Sequence, residues 1–157
     1  MNKLLLRLSE VVALVCLVAF IIFVSSEEEI SDADPSILCT EIVSSVNTED
    51  MTERNNLFLK KKYNTDTDTL EYFCYYSTDS VMDVREILII RADKEQCEQI
   101  MENIEATRTE KKKIFDSYAP EQSALLGSAV LVYEKGYLFY FVGENPEAAL
   151  SIFRNNL

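Results

Sequence analysis

The chain has 157 residues, 27 acidic against 15 basic side chains, a formal net charge of −12 and no histidine. Such acidity sets it against nucleic acid and anionic lipid heads, and the missing histidine removes Ser-His-Asp, Cys-His and His-ligated zinc chemistry. All three glycines lie between positions 127 and 143, so no Gly-rich loop upstream can cradle a phosphate.

Residues 11–24 are apolar without interruption. As a helix they span about 21 Å, and extension back to Leu4 reaches about 31 Å, enough for a bilayer core. The extension takes in Arg7, which can snorkel, and Glu10, whose cost is smaller than the summed gain of the Val, Leu, Ile and Phe residues that follow. Lys3 and Arg7 precede the segment; Glu27, Glu28, Glu29, Asp32 and Asp34 follow it. The positive-inside rule then places the N-terminus in the cytoplasm and the remainder outside. Val24-Ser25-Ser26 also reads as a weak signal-peptidase site, so cleavage stays open beside a retained anchor. Cys16 is a poor lipidation site, being mid-segment behind Val15, and reads as a small hydrophobe.

The organisation expected is a cytoplasmic tip and transmembrane anchor over 1–24, an acidic tether over 25–34 and an extracytoplasmic α+β domain over 35–157. After residue 24 there are 26 acids against 13 bases, a net charge of −13. The three cysteines there, Cys39, Cys74 and Cys97, allow at most one pair. Spacing does not choose it, and buried free thiols are the expectation.

Asp34-Pro35 reads as N-cap and N1 of a helix to Val46, with Leu38, Cys39, Ile42, Val43 and Val46 at helical spacing. A second helix is expected over 51–62, with Asp50 and Glu53 in capping-box spacing. Residues 64–69 form a polar loop. Residues 70–78 and 84–92 read as strands joined by a hairpin loop, dense in aromatic and β-branched side chains. Asp93 with Gln96 opens the longest helix, to Tyr118. Its buried stripe is Cys97, Ile100, Met101, Ile104, Ile114, Phe115 and Tyr118, broken around Thr107 and Lys111. A short helical turn or loop at 120–126 leads to strands 128–134 and 137–142. Lys135-Gly136 between them suits a tight turn of positive φ. Asn145-Pro146 caps a final helix over 147–155 anchored by Leu150 and Phe153, with Ala149 and Ile152 beside them. Two strand-strand-helix units predict one four-stranded antiparallel sheet with helices on a face and extra helices N-terminal to it.

Several short stretches in fixed order carry a resemblance. They are Lys62-Tyr63-Asn64, the strand with Tyr75 and Ser77, the run from Val84 to Ile90 leading into the long helix, and Tyr118-Ala119-Pro120-Glu121-Gln122 before Ala129 to Val132 and a Gly-containing hairpin. In these the chain, from about Pro35 onward, resembles domain of unknown function family 4358. The resemblance implies an exported, membrane-attached protein of the kind found mainly in Firmicutes, many of them lipoproteins. This chain departs in lacking a usable lipobox, and the resemblance carries over no catalytic residue.

Tyrosines crowd the strands. Tyr72, Tyr75, Tyr76, Tyr137 and Tyr140, with Tyr133 nearby, are candidates for an interaction surface, since each offers apolar area and a hydroxyl. Plain strand propensity is the simpler account. Glu86 interrupts an apolar strand and is a candidate perturbed acid; facing solvent, or pairing with a nearby Lys or Arg, is the simpler account. Asn64, Asp66 and Asp68 alternate like a calcium loop, but Thr69 and Tyr75 stand where Gly and Glu are needed. Lys60-Lys61-Lys62 and Lys111-Lys112-Lys113 read as solvated helix ends. No cofactor or metal site is expected.

The function expected is a non-catalytic module that meets a protein or cell-envelope partner, attached to the membrane through residues 4–24. The alternative is a small-ligand or metal-binding receptor, or an enzyme using carboxylate and tyrosine side chains.

Overall fold

The alternation of β-branched and aromatic residues along the strands gives one sheet two apolar faces, and helices cover both. The structure, a computed structural model, describes residues 12–18 and 30–157. In chain order its elements are α1 (Pro35–Ser45), β1 (Met51–Glu53), α2 (Asn56–Tyr63), β2 (Tyr72–Thr78), β3 (Glu86–Arg91), α3 (Lys94–Phe115), α4 (Pro120–Gly127), β4 (Val130–Glu134), β5 (Tyr137–Val142) and α5 (Pro146–Asn155). Residues 12–18 are helical. Among the described residues no helix is long and apolar enough to cross a membrane, and most of the span expected from Leu4 to Val24 lies outside them.

The sheet is antiparallel throughout, in the order β1-β2-β3-β5-β4. It has five strands among the described residues, not four. The extra one is β1, where the sequence reads as the start of a helix. Met51 pairs with Thr78 and Glu53 with Tyr76. Asp50 sits at φ 63°, and Asn55 is the residue that caps α2, its side chain accepting from the backbone N–H of Leu57 and Phe58. A three-residue strand is too short to show a period. Its stability comes from the ladder with β2, which local sequence does not contain.

Leu88, Ile90, Leu138, Tyr140 and Val142 face α2, α3 and α4, where Leu59, Cys97, Ile100, Ile104, Phe115 and Leu126 meet them. Ile87, Ile89, Tyr137, Phe139 and Phe141 face the other way, onto Leu38 and Ile42 of α1 and Ala149 and Phe153 of α5. This second cover corrects the one-sided sheet expected from the order of elements. β3 and β5 are buried along nearly their whole length because both of their faces are covered.

Asp93 caps α3 as its spacing suggests, accepting from the Gln96 N–H at 2.9 Å. The helix stops at Phe115, and Ile114 and Tyr118 are exposed, outside the stripe assigned to them. Asn145 precedes α5 in the left-handed region at φ 55° without a side-chain cap bond, and Leu150 is only partly buried. The β4–β5 turn does take positive φ at Lys135 (50°) and Gly136 (87°). Cys39 and Cys74 form a disulfide that ties α1 to β2, against the expectation of free thiols. Their helical and strand positions look apolar from sequence, and only the packing of α1 across β2 brings them together. Cys97 is a buried free thiol.

A buried carboxylate as the candidate functional site

Strand register assembles this site. Tyr75, Leu88 and Tyr140 form one cross-strand row on the α3 face, and Glu86 stands one pleat further along β3 on that same face. Above the row the last turn of α2 brings down Lys62 and Tyr63. The Tyr63 ring lies 6.3 Å from the rings of both Tyr75 and Tyr140, edge-on to the latter.

Glu86 is 2 % exposed, with three donors converging on it. The Tyr63 hydroxyl donates to Oε1 at 2.8 Å, the Tyr75 hydroxyl to Oε2 at 3.0 Å, and Lys62 Nζ to Oε2 at 2.5 Å. Charge-assisted bonds of this kind compensate for the water that burial removes. The Lys62 ammonium also lies 5.1 Å from the Tyr63 ring centroid and 5.8 Å from that of Tyr75. Burial, and next the Glu86 charge, push the Tyr63, Tyr75 and Tyr140 phenols well above the ordinary tyrosine range. They therefore remain protonated at neutral pH, and Tyr63 and Tyr75 serve as donors to Glu86. Thr107 of α3 reaches the same region, its hydroxyl donating to the Asn103 carbonyl at 2.8 Å with the Lys62 carbonyl 3.5 Å away.

The sequence-derived candidates do not form one surface. Tyr75 and Tyr140 are buried on the α3 face. Tyr72, Tyr76 and Tyr137 lie on the α1–α5 face, where Tyr137 is buried and the other two are half-buried. The Tyr137 hydroxyl donates to the Ala33 carbonyl at 2.6 Å and accepts from Arg91 at 2.7 Å. Lys62 and Lys111 read from sequence only as members of solvated basic runs, and Tyr63 only as part of a stretch carrying the family resemblance. A signal of their role is the break in the α3 stripe at Thr107 and Lys111, which falls where the helix passes the Glu86 cluster.

Open grooves lie beside the cluster rather than over it. One of about 480 Å³ runs between the loop after α2 and the front of α3, lined by side chains including Asn64, Asp66, Gln96, Gln99 and Asn103. Another of about 590 Å³ includes Arg54, Asn55 and Phe73. Glu86 lines neither. Among the described residues no group of three or more Asp, Glu, Cys or His side chains is placed to hold a metal ion. The arrangement can hold a buried negative charge and fix α2 to the sheet.

The chain is thus a mixed α+β domain of three layers built around an antiparallel sheet. It belongs to the family described as domain of unknown function DUF4358, whose family model matches residues 44–143. That match takes in the whole sheet, α2, α3, α4 and the Glu86 cluster, and leaves most of α1 and all of α5 outside. No curated protein and no solved structure matches.

Proposed function

We propose that the chain is a single-pass membrane protein, its N-terminus cytoplasmic and its folded domain outside, which works by contact with a protein or envelope component and not by catalysis. The Cys39–Cys74 disulfide carries this reading. Disulfides form and persist in oxidising compartments and are rare where thiol buffers act. It agrees in direction with the apolar run at 11–24 and the charge difference across it, which are independent of any cysteine. Exposed apolar side chains give a partner something to cover: Leu57 and Phe58 on α2, and Val81 and Met82 in the β2–β3 loop.

The test is made on intact cells. An impermeant alkylating reagent should leave Cys39 and Cys74 unmodified until a reductant is added, and protease added to protoplasts should digest the domain while residues 4–24 stay with the membrane. Free thiols in both cysteines and a domain resistant until lysis would reject the reading. Ligand binding or catalysis through carboxylate and tyrosine side chains is the second reading, and the Glu86 cluster is the observation that favours it.

A further inference from the structure

Lys111 occupies a core position of α3. It stands seven residues after Ile104 and four before Phe115, both buried, on the side of the helix turned to the sheet. The side chain is half-buried, its ammonium 5.9 Å from the Phe115 ring centroid. Two carboxylates and one cation act on it from neighbouring elements: Glu86 of β3, Asp83 of the β2–β3 loop and Lys62 of α2.

Both carboxylates are already engaged. Glu86 takes Lys62, Tyr63 and Tyr75, and Asp83 takes Arg85 in a bidentate pair, with Nη2 at 2.7 Å and Nε at 3.0 Å. In this acid-rich chain every described arginine is ion-paired, yet Lys111 makes neither an ion pair nor a hydrogen bond with the described residues. Among the described residues no buried side-chain nitrogen lacks a partner, so Lys111 Nζ keeps contact with solvent. Burial, and next the Lys62 cation, hold its ammonium below the ordinary lysine range against the opposing pull of Glu86 and Asp83. Desolvation and a neighbouring cation are the two ways an amine is made nucleophilic near neutral pH.

We propose that Lys111 is a nucleophilic lysine and an acylation site, its Nζ taking the acyl group of an activated acyl donor. The unprotonated amine attacks the acyl carbon and a C–N bond forms. The bond from that carbon to the leaving group breaks, its electron pair departing with the leaving group, and the amine proton passes to solvent. Lys62 acts as a positioning residue: it keeps Glu86 occupied and sets a positive charge beside Nζ. Acylation would remove a cation from the rim of the cluster that fixes α2 to the sheet. The proposal does not depend on where the domain resides.

Trace acetylation tests it. The full chain, purified in detergent, is treated briefly with limiting acetic anhydride at pH 7, and acetyl incorporation at each lysine is read by peptide mass spectrometry against the urea-unfolded chain. Lys111 should acetylate several-fold faster than Lys60 and Lys61, two exposed lysines of α2 that serve as internal controls. The lead should persist in Lys62→Arg, which keeps the cation, and be lost in Lys62→Met, which removes the positive charge beside Nζ. Equal or slower labelling of Lys111 in the unaltered chain overturns the proposal, whether or not Lys62→Met folds.

Discussion

The Lys62 ammonium lies 2.5 Å from the Glu86 carboxylate, across 24 positions of sequence, and joins the end of α2 to the middle strand of the sheet. Lys62 keeps partial exposure while Glu86 has almost none, so the pair is a cap over a buried charge. Removing the cap should cost more than removing the whole device. Lys62→Met leaves Glu86 with two phenol donors and should destabilise the domain by about 3 kcal/mol. The double change Lys62→Met, Glu86→Leu should recover part of that loss. Urea midpoints at constant slope measure both, and a double variant less stable than the single one would refute this account.

Alkali should unfold the domain through the same cluster. Burial raises the phenols of Tyr63, Tyr75 and Tyr140 above their ordinary value of 10.0 and pushes the Cys97 thiol from 9.0 up to about 12. Each folded pKa lies above the unfolded one, so the stability these groups contribute is whole below about pH 9 and declines as pH rises. Lys111, lowered by burial, acts in the opposite sense, as one group against four. Tyrosinate absorbance from the three buried phenols should appear together with the loss of circular dichroism. Full ionisation of all eight tyrosines in a folded chain would contradict it.

The disulfide should act as a staple. It closes a loop with a sequence separation of 35, for which the chain-entropy estimate is about 3–4 kcal/mol. Reduction, or Cys39→Ala with Cys74→Ala, should lower the thermal midpoint and release α1 first. Hydrogen exchange would show this as protection lost in α1 and along the α1–α5 face before the α3 face.

Tyr137→Phe probes the strap before α1. Its hydroxyl holds the Ala33 carbonyl and takes a bond from Arg91, and Ser31 N–H donates to the Lys135 carbonyl at 2.9 Å beside it. The change should cost about 1–2 kcal/mol. An endopeptidase that cuts on the N-terminal side of aspartate should then cleave before Asp32 and Asp34 faster than in the unaltered chain. An unchanged cleavage rate would mean that the strap is held by something else.

Local chemistry was readable from the chain to the extent that it is local. Asp34 and Asp93 accept the cap bonds their spacing suggests, β5 spans the residues expected, and the Lys135-Gly136 turn has the required positive φ. Each depends on residues within a few positions of one another. The membership in the DUF4358 family was legible too, in short stretches with a fixed order.

Glu86 shows where such reading stops. Alternation alone allowed it to face water or core, and only α2 laid over the α3 face, bringing Lys62 and Tyr63 onto the carboxylate, buries it. The same holds for Lys111, which reads as part of a solvated basic run until α3 is laid on the sheet.

The amino-acid sequence by itself determined the apolar run at 11–24, the charge step across it, most element types and the caps at Asp34 and Asp93, because hydropathy, charge and capping act between near neighbours. Tertiary structure alone decided the fifth strand, the two-sided cover, the Cys39–Cys74 bond and the cage around Glu86. The bonds of the cage, the fifth strand and the disulfide join positions from 11 to 35 residues apart, and their energies exist only once the chain has brought the partners together.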